Sequence, residues 1–473
     1  YSKTCHEGKV RCDTKFMDEA SLTPSGWVRI TGARELKTER SSHCRIELEC
    51  LTGNLAPVER DDIAPLLTAN LDIESKSASN SFPDASVPDD VVAQIGVVYW
   101  RVGTPTDRVT RVVYVNNERC GDVEGAHVMR FADERQMLLG FRHHFVLDAD
   151  VDVLVTYNGF GFDLPYLWKR AELHGITDFN FLDRLVTRKC TSRNKELSSS
   201  ALGQNDLFII DMYGRTNLDL FHWVKAREKL ESYKLDDVAE HFLGQKKLEM
   251  DYKELFRMVD GTPDEIALVA KYCIQDCYLL VCLADRLQVY ASNVGMSRVT
   301  HTAMELLVTS GQQIKVINQL AWHGHRMEAD AHGTGGYLLN TPRKLSGCAT
   351  DSYLGATVID PIVNYYQDPI ATLDFASLYP SIILANNFCC STLVLDPQYE
   401  NVPGVDYVVI DVSETKRYTW ATNMPGLIPN VLRYLLAARK KAKKKMAAAA
   451  NRVDAAQADV DRAVAAGDGA AAD

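Results

Sequence analysis

The chain has 473 residues, 52 Lys+Arg against 63 Asp+Glu for a formal net charge of −11, and 46% hydrophobic residues. At ~150 residues per domain this length predicts about three domains, and the spread of apolar residues excludes a mostly disordered chain. No run of about 18 apolar residues occurs, which predicts that no helix crosses a membrane, and the acidic balance weighs against a simple nucleic-acid coat while leaving room for an enzyme with a local basic groove.

The chain begins at Tyr1 with nothing like a signal peptide, as expected of a processed start or of a piece of something longer. Trp27-Val28-Arg29-Ile30 and Ile46-Glu47-Leu48-Glu49 read as short strands among polar turns. Ser75 to Asp90, with two prolines and five serines, separates two strand-like segments, the second being Val91 to Val98. Asp152 to Tyr157 reads as another strand, Asp163 to His174 as a helix, and Leu235 to Leu243 and Glu265 to Tyr290 carry helical periodicity. This alternation predicts an α/β layer over roughly 65–285. Residues 296–330 look helical. A loop-rich stretch after Gly333-Thr334-Gly335-Gly336 then leads to the strand-like Ile370-Ala371-Thr372-Leu373. Pro429 to Met446 reads as a helix ending in a dense basic run, and the Ala- and Asp-rich stretch from Ala447 as a frayed helix or a disordered tail. Twelve cysteines form no paired CxxC framework, with Cys273 and Cys277 four apart and Cys389 and Cys390 adjacent. Reduced thiols, not a zinc site, are expected.

Several carboxylates stand in suggestive places. On a strand, Asp72 and Glu74 share one face while Ile73 packs behind them. Alone, such a pair is an ordinary solvated strand edge. After the strand Val153-Leu154-Val155, Gly159 and Gly161 permit a tight turn that leaves Asp163 at a helix start, where a plain N-cap is the simpler explanation. Tyr272 and Asp276, four apart on a helix, share a face. Taken in order, these residues supply four carboxylates and one phenol to one centre. Such a cluster suits two divalent cations ~3.5–4 Å apart for phosphodiester displacement, and hard oxygen ligands point to Mg²⁺ or Mn²⁺.

In this set the chain resembles the three exonuclease motifs of family B DNA polymerases, Asp-Ile-Glu, Asn-x-x-x-Phe-Asp and Tyr-x-x-x-Asp. The resemblance implies that Asp72 bridges both metals, Glu74 and Asp276 complete the first, Asp163 supports the second, and Tyr272 orients the attacking water. It implies substrate contacts from Asn158 and Phe162, and single-strand binding suggests Phe160 and Phe162 as apolar wedges. Lys234-Leu235-Asp236-Asp237-Val238-Ala239, with Leu243-Gly244 after it, resembles the family's helix between the second and third motifs.

The most specific stretch is Thr372-Leu373-Asp374-Phe375-Ala376-Ser377-Leu378-Tyr379-Pro380-Ser381-Ile382-Ile383, which resembles polymerase motif A, Asp-x-x-Ser-Leu-Tyr-Pro-Ser. Asp374 is expected at a strand end, before a turn whose N–H groups approach phosphate oxygens. The resemblance implies that Asp374 binds the catalytic metals, Ser377 and Leu378 contact the incoming triphosphate, and Tyr379 is the steric gate against a ribose 2′-OH. Tyr353-Leu354-Gly355-Ala356 resembles the element linking the exonuclease and polymerase regions. Gly355 to Leu393 and Gly311 to Val316 are similar to the delta-type polymerases of cells and large DNA viruses, with Asn364 where that pattern usually has Gly. Pro425 to Lys445 resembles the start of the fingers, where one helical face presents Arg439 and Lys443 to a triphosphate. A solvated basic face, or a nuclear localisation signal at Lys440 to Lys445, are the other readings of that run.

The family's Lys-x-x-x-Asn-Ser-x-Tyr-Gly and Tyr-Gly-Asp-Thr-Asp-Ser motifs do not occur. Thr350-Asp351-Ser352 shares three letters with the latter but precedes Asp374. The chain is therefore expected to be a fragment. Its expected fold is α/β (α+β overall, multi-domain): an N-terminal domain over 1–64 with a truncated start, an RNase H-like 3′–5′ exonuclease domain with a mixed sheet over 65–290, a helical connection over 291–345, a partial palm over 346–424, and the first fingers helix with an Ala-rich end over 425–473. The implied function is template-directed DNA synthesis with proofreading, using two Mg²⁺ or Mn²⁺ per centre. The implied partners are primer–template DNA, single-stranded DNA, deoxynucleoside triphosphates and a sliding clamp, without a membrane. The implied location is intracellular, in the nucleus or at a viral replication site. A stand-alone 3′–5′ exonuclease and an inactive polymerase-like scaffold are the rival readings.

Overall fold

The computed structural model describes residues 10–79, 81–199, 203–245, 250–327, 358–413 and 416–465. Gly333-Thr334-Gly335-Gly336, Thr350-Asp351-Ser352 and Tyr353-Leu354-Gly355-Ala356 lie outside them. The described residues form two compact units, Arg11–Asn318 and those from Gln319 onward with Val10.

The first unit is built on a six-stranded sheet. Its strands are β1 (Leu67–Lys76), β2 (Val91–Arg101), β3 (Thr110–Val115), β4 (His127–Arg130) and β5 (Val153–Thr156), then, after a hairpin of β6 (Thr191–Ser199) and β7 (Gly203–Asp211), β8 (Thr216–Asp219). The spatial order is β8-β5-β1-β2-β3-β4. β1–β2 and β2–β3 run antiparallel, whereas β1–β5, β5–β8 and β3–β4 run parallel, so the sheet is mixed as expected. The apolar run of β2 is buried along nearly its whole length, which is what a strand covered on both faces requires. Helices α1 (Glu134–His143), α2 (Asp163–Leu173), α3 (Leu220–Arg227) and α4 (Pro263–Arg286) accompany it. The helix expected over Leu235 to Leu243 forms with those bounds.

Helix α4 starts sharply. The Thr262 hydroxyl accepts from the Glu265 N–H, the Glu265 carboxylate accepts from the Thr262 N–H, and Pro263 fills the first turn. The helix expected over Glu265 to Tyr290 is in fact two, because Gln288 takes a left-handed φ of +50° and a second helix, Val289–Thr300, begins after it. By length and composition alone α4 is long and apolar enough to span a membrane. It packs instead as a core helix, with two thirds of its most apolar stretch buried.

The seam between α4 and the sheet is unusually close at Gly96, which stands opposite Asp72 in the β1–β2 ladder. A Cβ there would lie 2.7 Å from Cys273 Sγ, 3.0 Å from Cys277 Sγ and 3.2 Å from the Cys273 carbonyl. Any side chain at Gly96 must therefore lift α4 away from Asp72 and Glu74. Gly96→Ala is expected to destabilise the unit by about 1–3 kcal/mol, read from urea unfolding. An unchanged unfolding midpoint would show that the seam has slack.

In the second unit the strands Leu393–Val394, Lys416–Ala421 and Tyr407–Ser413 form an antiparallel sheet in that order. Cys389, Leu427 and Val431 make a small buried core. The helix expected over Pro429 to Met446 runs from Leu427 to Ala465, so the Ala-rich stretch is helical through Ala465, in keeping with the high helix propensity of Ala. The strand expected at Ile370 to Leu373 does not form, and Asp374 stands in exposed irregular backbone rather than at a strand end. A strand needs a neighbour to take its N–H and C=O groups, and no described residue pairs with this run.

Candidate active site

Alternation along β1 buries Leu71 and Ile73 (1% and 5% exposed) and turns Asp72 and Glu74 to the other face. There the Asp72 and Glu74 carboxylates and the Cys273 sulfur all lie within 4.8 Å of one another. Cys273 had no place among the expected site residues. It sits between Tyr272 and Asp276 on α4, its S–H donates to the Asp72 carbonyl at 3.6 Å, and its hydrogen bond with Cys277, then burial and the two carboxylates, hold it firmly as a thiol. The only cue in the sequence was its place within the Tyr-x-x-x-Asp spacing.

Asp163 and Asp276 are both buried, 3% and 2% exposed. Burial raises the Asp72 carboxyl far above its ordinary range, and the nearby charges of Asp163, Asp276 and Glu74 raise it further. Asp163, chiefly through burial and partly through Asp219, is pushed up to about 7. Four carboxyls that repel one another in a poorly solvated place give up their protons most readily to positive charge. The donor set therefore fits a divalent cation.

The turn that delivers Asp163 is tightly made. Asn158 takes φ +61°, its carbonyl accepts from the Gly161 and Phe162 N–H groups at 2.9 and 3.1 Å, and a Cβ on Gly159 would stand 2.3 Å from Thr156 Oγ1. Asn158 is exposed, as a substrate contact requires, and Phe162 is half-buried. Phe160 is not a wedge: it is 1% exposed and stacks on His222, so it belongs to the core. Tyr272 is also buried, packed with Ala93, Phe256 and Val269.

Beside the carboxylates lies a cavity of about 460 Å³, lined by Glu74 together with Phe82, Phe162, Tyr252, Leu255 and Phe256. Phe82 meets Phe162 edge-on with ring centroids 5.3 Å apart, and Phe82 and Tyr252 are 78% and 53% exposed. Acidic on one side and aromatic on the other, the cavity suits a planar base beside a phosphodiester.

The residues expected at a second centre are not gathered in this way. Asp374, Leu378 and Tyr379 are exposed, Ser377 is half-buried at the start of the helix Leu378–Asn386, and no cluster of three metal-ligating side chains forms around Asp374 among the described residues. Arg439 and Lys443 are exposed on one face of the helix Leu427–Ala465.

Known proteins are similar to this chain along most of its length. The profile of DNA polymerase family B, exonuclease domain, matches residues 4–238, and that of DNA polymerase family B matches residues 302–464. The chain is 32% identical to the DNA polymerase delta catalytic subunit of Oryza sativa subsp. japonica over 445 residues, and 33% identical to that of Arabidopsis thaliana, covering 93% of this chain and 39% of each relative. It thus spans about two fifths of the length of the curated relatives it matches. Its fold is similar to that of the family B DNA polymerase of the hyperthermophilic archaeon Pyrobaculum calidifontis, with a TM-score of 0.63 and 24% identity over 93% of this chain and 50% of that one.

Proposed function

We propose a function from one premise: the chain belongs to DNA polymerase family B. The longer protein of which such a chain forms part is a DNA-directed DNA polymerase, and the Arg11–Asn318 unit is its 3′–5′ exonuclease. The observation that carries this reading is the pairing of the Asp72 and Glu74 carboxylates, with the buried Asp163 and Asp276 near enough for their charges to raise Asp72 further, beside an aromatic-walled cavity that Glu74 lines.

Asp72, Glu74, Asp163 and Asp276 would hold the cations, and an all-carboxylate set suits Mg²⁺ or Mn²⁺. When bound, such cations activate water and stabilise the charge of phosphodiester cleavage. The chain's own residues do the rest. Phe162 and Phe82 receive the terminal base of a single strand, and Asn158 contacts the same strand. Tyr272 orients the attacking water. A paired 3′ end is a poor substrate, because its last base must leave its stack to enter the cavity. In the polymerase part, Asp374 would help to hold the catalytic metals once further ligands join it, with Ser377 and Leu378 toward the triphosphate, Tyr379 toward the sugar, and Arg439 and Lys443 toward the phosphates. The partners follow as primer–template and single-stranded DNA, deoxynucleoside triphosphates and a sliding clamp. The location is the nucleus or the replication site of a large DNA virus.

The chain incubated with a 5′-labelled primer–template, Mg²⁺ and all four deoxynucleotides is expected to shorten the primer in single-nucleotide steps, faster when its 3′ end is mispaired. Failure to shorten a mispaired or single-stranded primer in Mg²⁺ or Mn²⁺ overturns the exonuclease reading.

A further inference from the structure

Asp219 closes strand β8, beside Thr156 at the end of the parallel strand β5. It is fully buried, at 0% exposure, and lies outside every motif named above. One carboxylate oxygen accepts from the Asn158 N–H at 3.0 Å, the other from the Phe160 N–H at 3.0 Å. The first also accepts from the Phe221 N–H at 3.0 Å, capping α3. Two parallel strands thus end side by side, one running into the turn that delivers Asp163 and the other supplying the carboxylate that fastens the turn. On the turn's other side the Phe160 carbonyl accepts from the Phe208 N–H of β7 at 3.0 Å, and His222 stacks on the Phe160 ring.

Burying a carboxylate close to Asp163 is unfavourable for the fold, because the two like charges repel. Capping α3 does not require it, since a neutral Ser or Asn caps as well. What a carboxylate does, and a shorter neutral cap cannot, is accept with both oxygens from two N–H groups of the turn while capping the helix. We infer that Asp219 is a positioning residue of the carboxylate centre, fixing through the Asn158–Phe162 turn where Asp163 stands. This rests on the exonuclease reading of the centre. An outer carboxylate of this kind typically changes metal affinity by about 10–100-fold when removed.

Asp219→Asn tests it. The amide keeps the shape and the cap, but turns an NH₂ toward one of the turn's N–H groups and must release it. Calorimetric titration of the metal-free chain with Mn²⁺ is expected to show about 10-fold weaker binding or more, with faster hydrogen exchange at Asn158 and Phe160 and a melting temperature close to the parent's. The Mn²⁺ concentration for half-maximal digestion is expected to rise by the same factor. If Asp219→Asn fails to fold, Asp219→Ser keeps a short cap on α3, cannot reach both N–H groups, and carries the same expectation. Parental Mn²⁺ affinity in a folded variant overturns the inference, and so does a loss of thermal stability without a change in affinity, which marks a cap and nothing more. A parent chain that neither binds Mn²⁺ nor digests DNA overturns the exonuclease reading itself, and the role of Asp219 with it.

Discussion

Asp163→Asn is expected to lower 3′–5′ digestion by a factor on the order of 10²–10⁴, the equivalent of several kcal/mol of lost charge stabilisation, and at the same time to stabilise the metal-free chain. The second effect follows from the environment that serves the first. An ordinary Asp ionises near about 3.9, whereas burial and the neighbouring Asp219 push Asp163 up to about 7. Between those values the folded chain holds a proton that the unfolded chain has released, so stability falls as pH rises through the window. Above pH of about 7 the full penalty is present, at about 1.4 kcal/mol per unit of displacement, or a few kcal/mol in all. Asn never ionises, and its oxygen can still accept from the Ile73 N–H that meets the Asp163 carboxylate. With metal chelated, parent and variant should melt alike near pH 4 and diverge toward pH 8, the variant higher. Equal melting at pH 8 would mean that Asp163 ionises without hindrance. Undiminished digestion of single strands would remove Asp163 from the centre.

Much of this centre was legible from residue order. Asp72 and Glu74 could be assigned to one face because a strand repeats every two residues, and Tyr272 and Asp276 because a helix repeats every three to four. Parts that depend on chain neighbours far away in sequence were not. Nothing local marks Gly96 as the place where α4 touches the sheet, or Asp219 as the fastener of a turn some sixty residues earlier. Phe160 and Phe162 look equivalent as letters, yet His222 claims one for the core while the other faces the cavity. The strand expected before Asp374 failed for a related reason, since an apolar β-branched run states a preference and only a partner strand can satisfy it. The end of the helix expected over Glu265 to Tyr290 was missed because Leu287 and Gln288 carry no Gly or Pro to announce a left-handed residue.

Arg170→Met is expected to destabilise the Arg11–Asn318 unit by about 3–5 kcal/mol, the usual result of breaking a buried ion pair from one side. Arg170 on α2 is 0% exposed and Glu134 at the start of α1 is 3% exposed. The guanidinium donates to both Glu134 oxygens at 2.9 and 2.5 Å, and to the carbonyls of Val87 and Pro88 at 2.7 and 3.0 Å. Glu134 also accepts from the Val92 N–H at 2.8 Å and meets His174 Nε2 at 2.6 Å. This one cluster ties two helices to the start of β2 and to the 85–88 loop, a few residues from Phe82 in the cavity wall. The loss should therefore appear twice, as a lower urea midpoint and as weaker binding of single-stranded DNA. Two origins of the penalty can be separated. If the uncompensated Glu134 charge dominates, adding Glu134→Gln to Arg170→Met restores much of the stability, because Gln still accepts from Val92 while carrying no charge. If the stranded Val87 and Pro88 carbonyls dominate, the second substitution restores little, since both variants leave the loop without its donor.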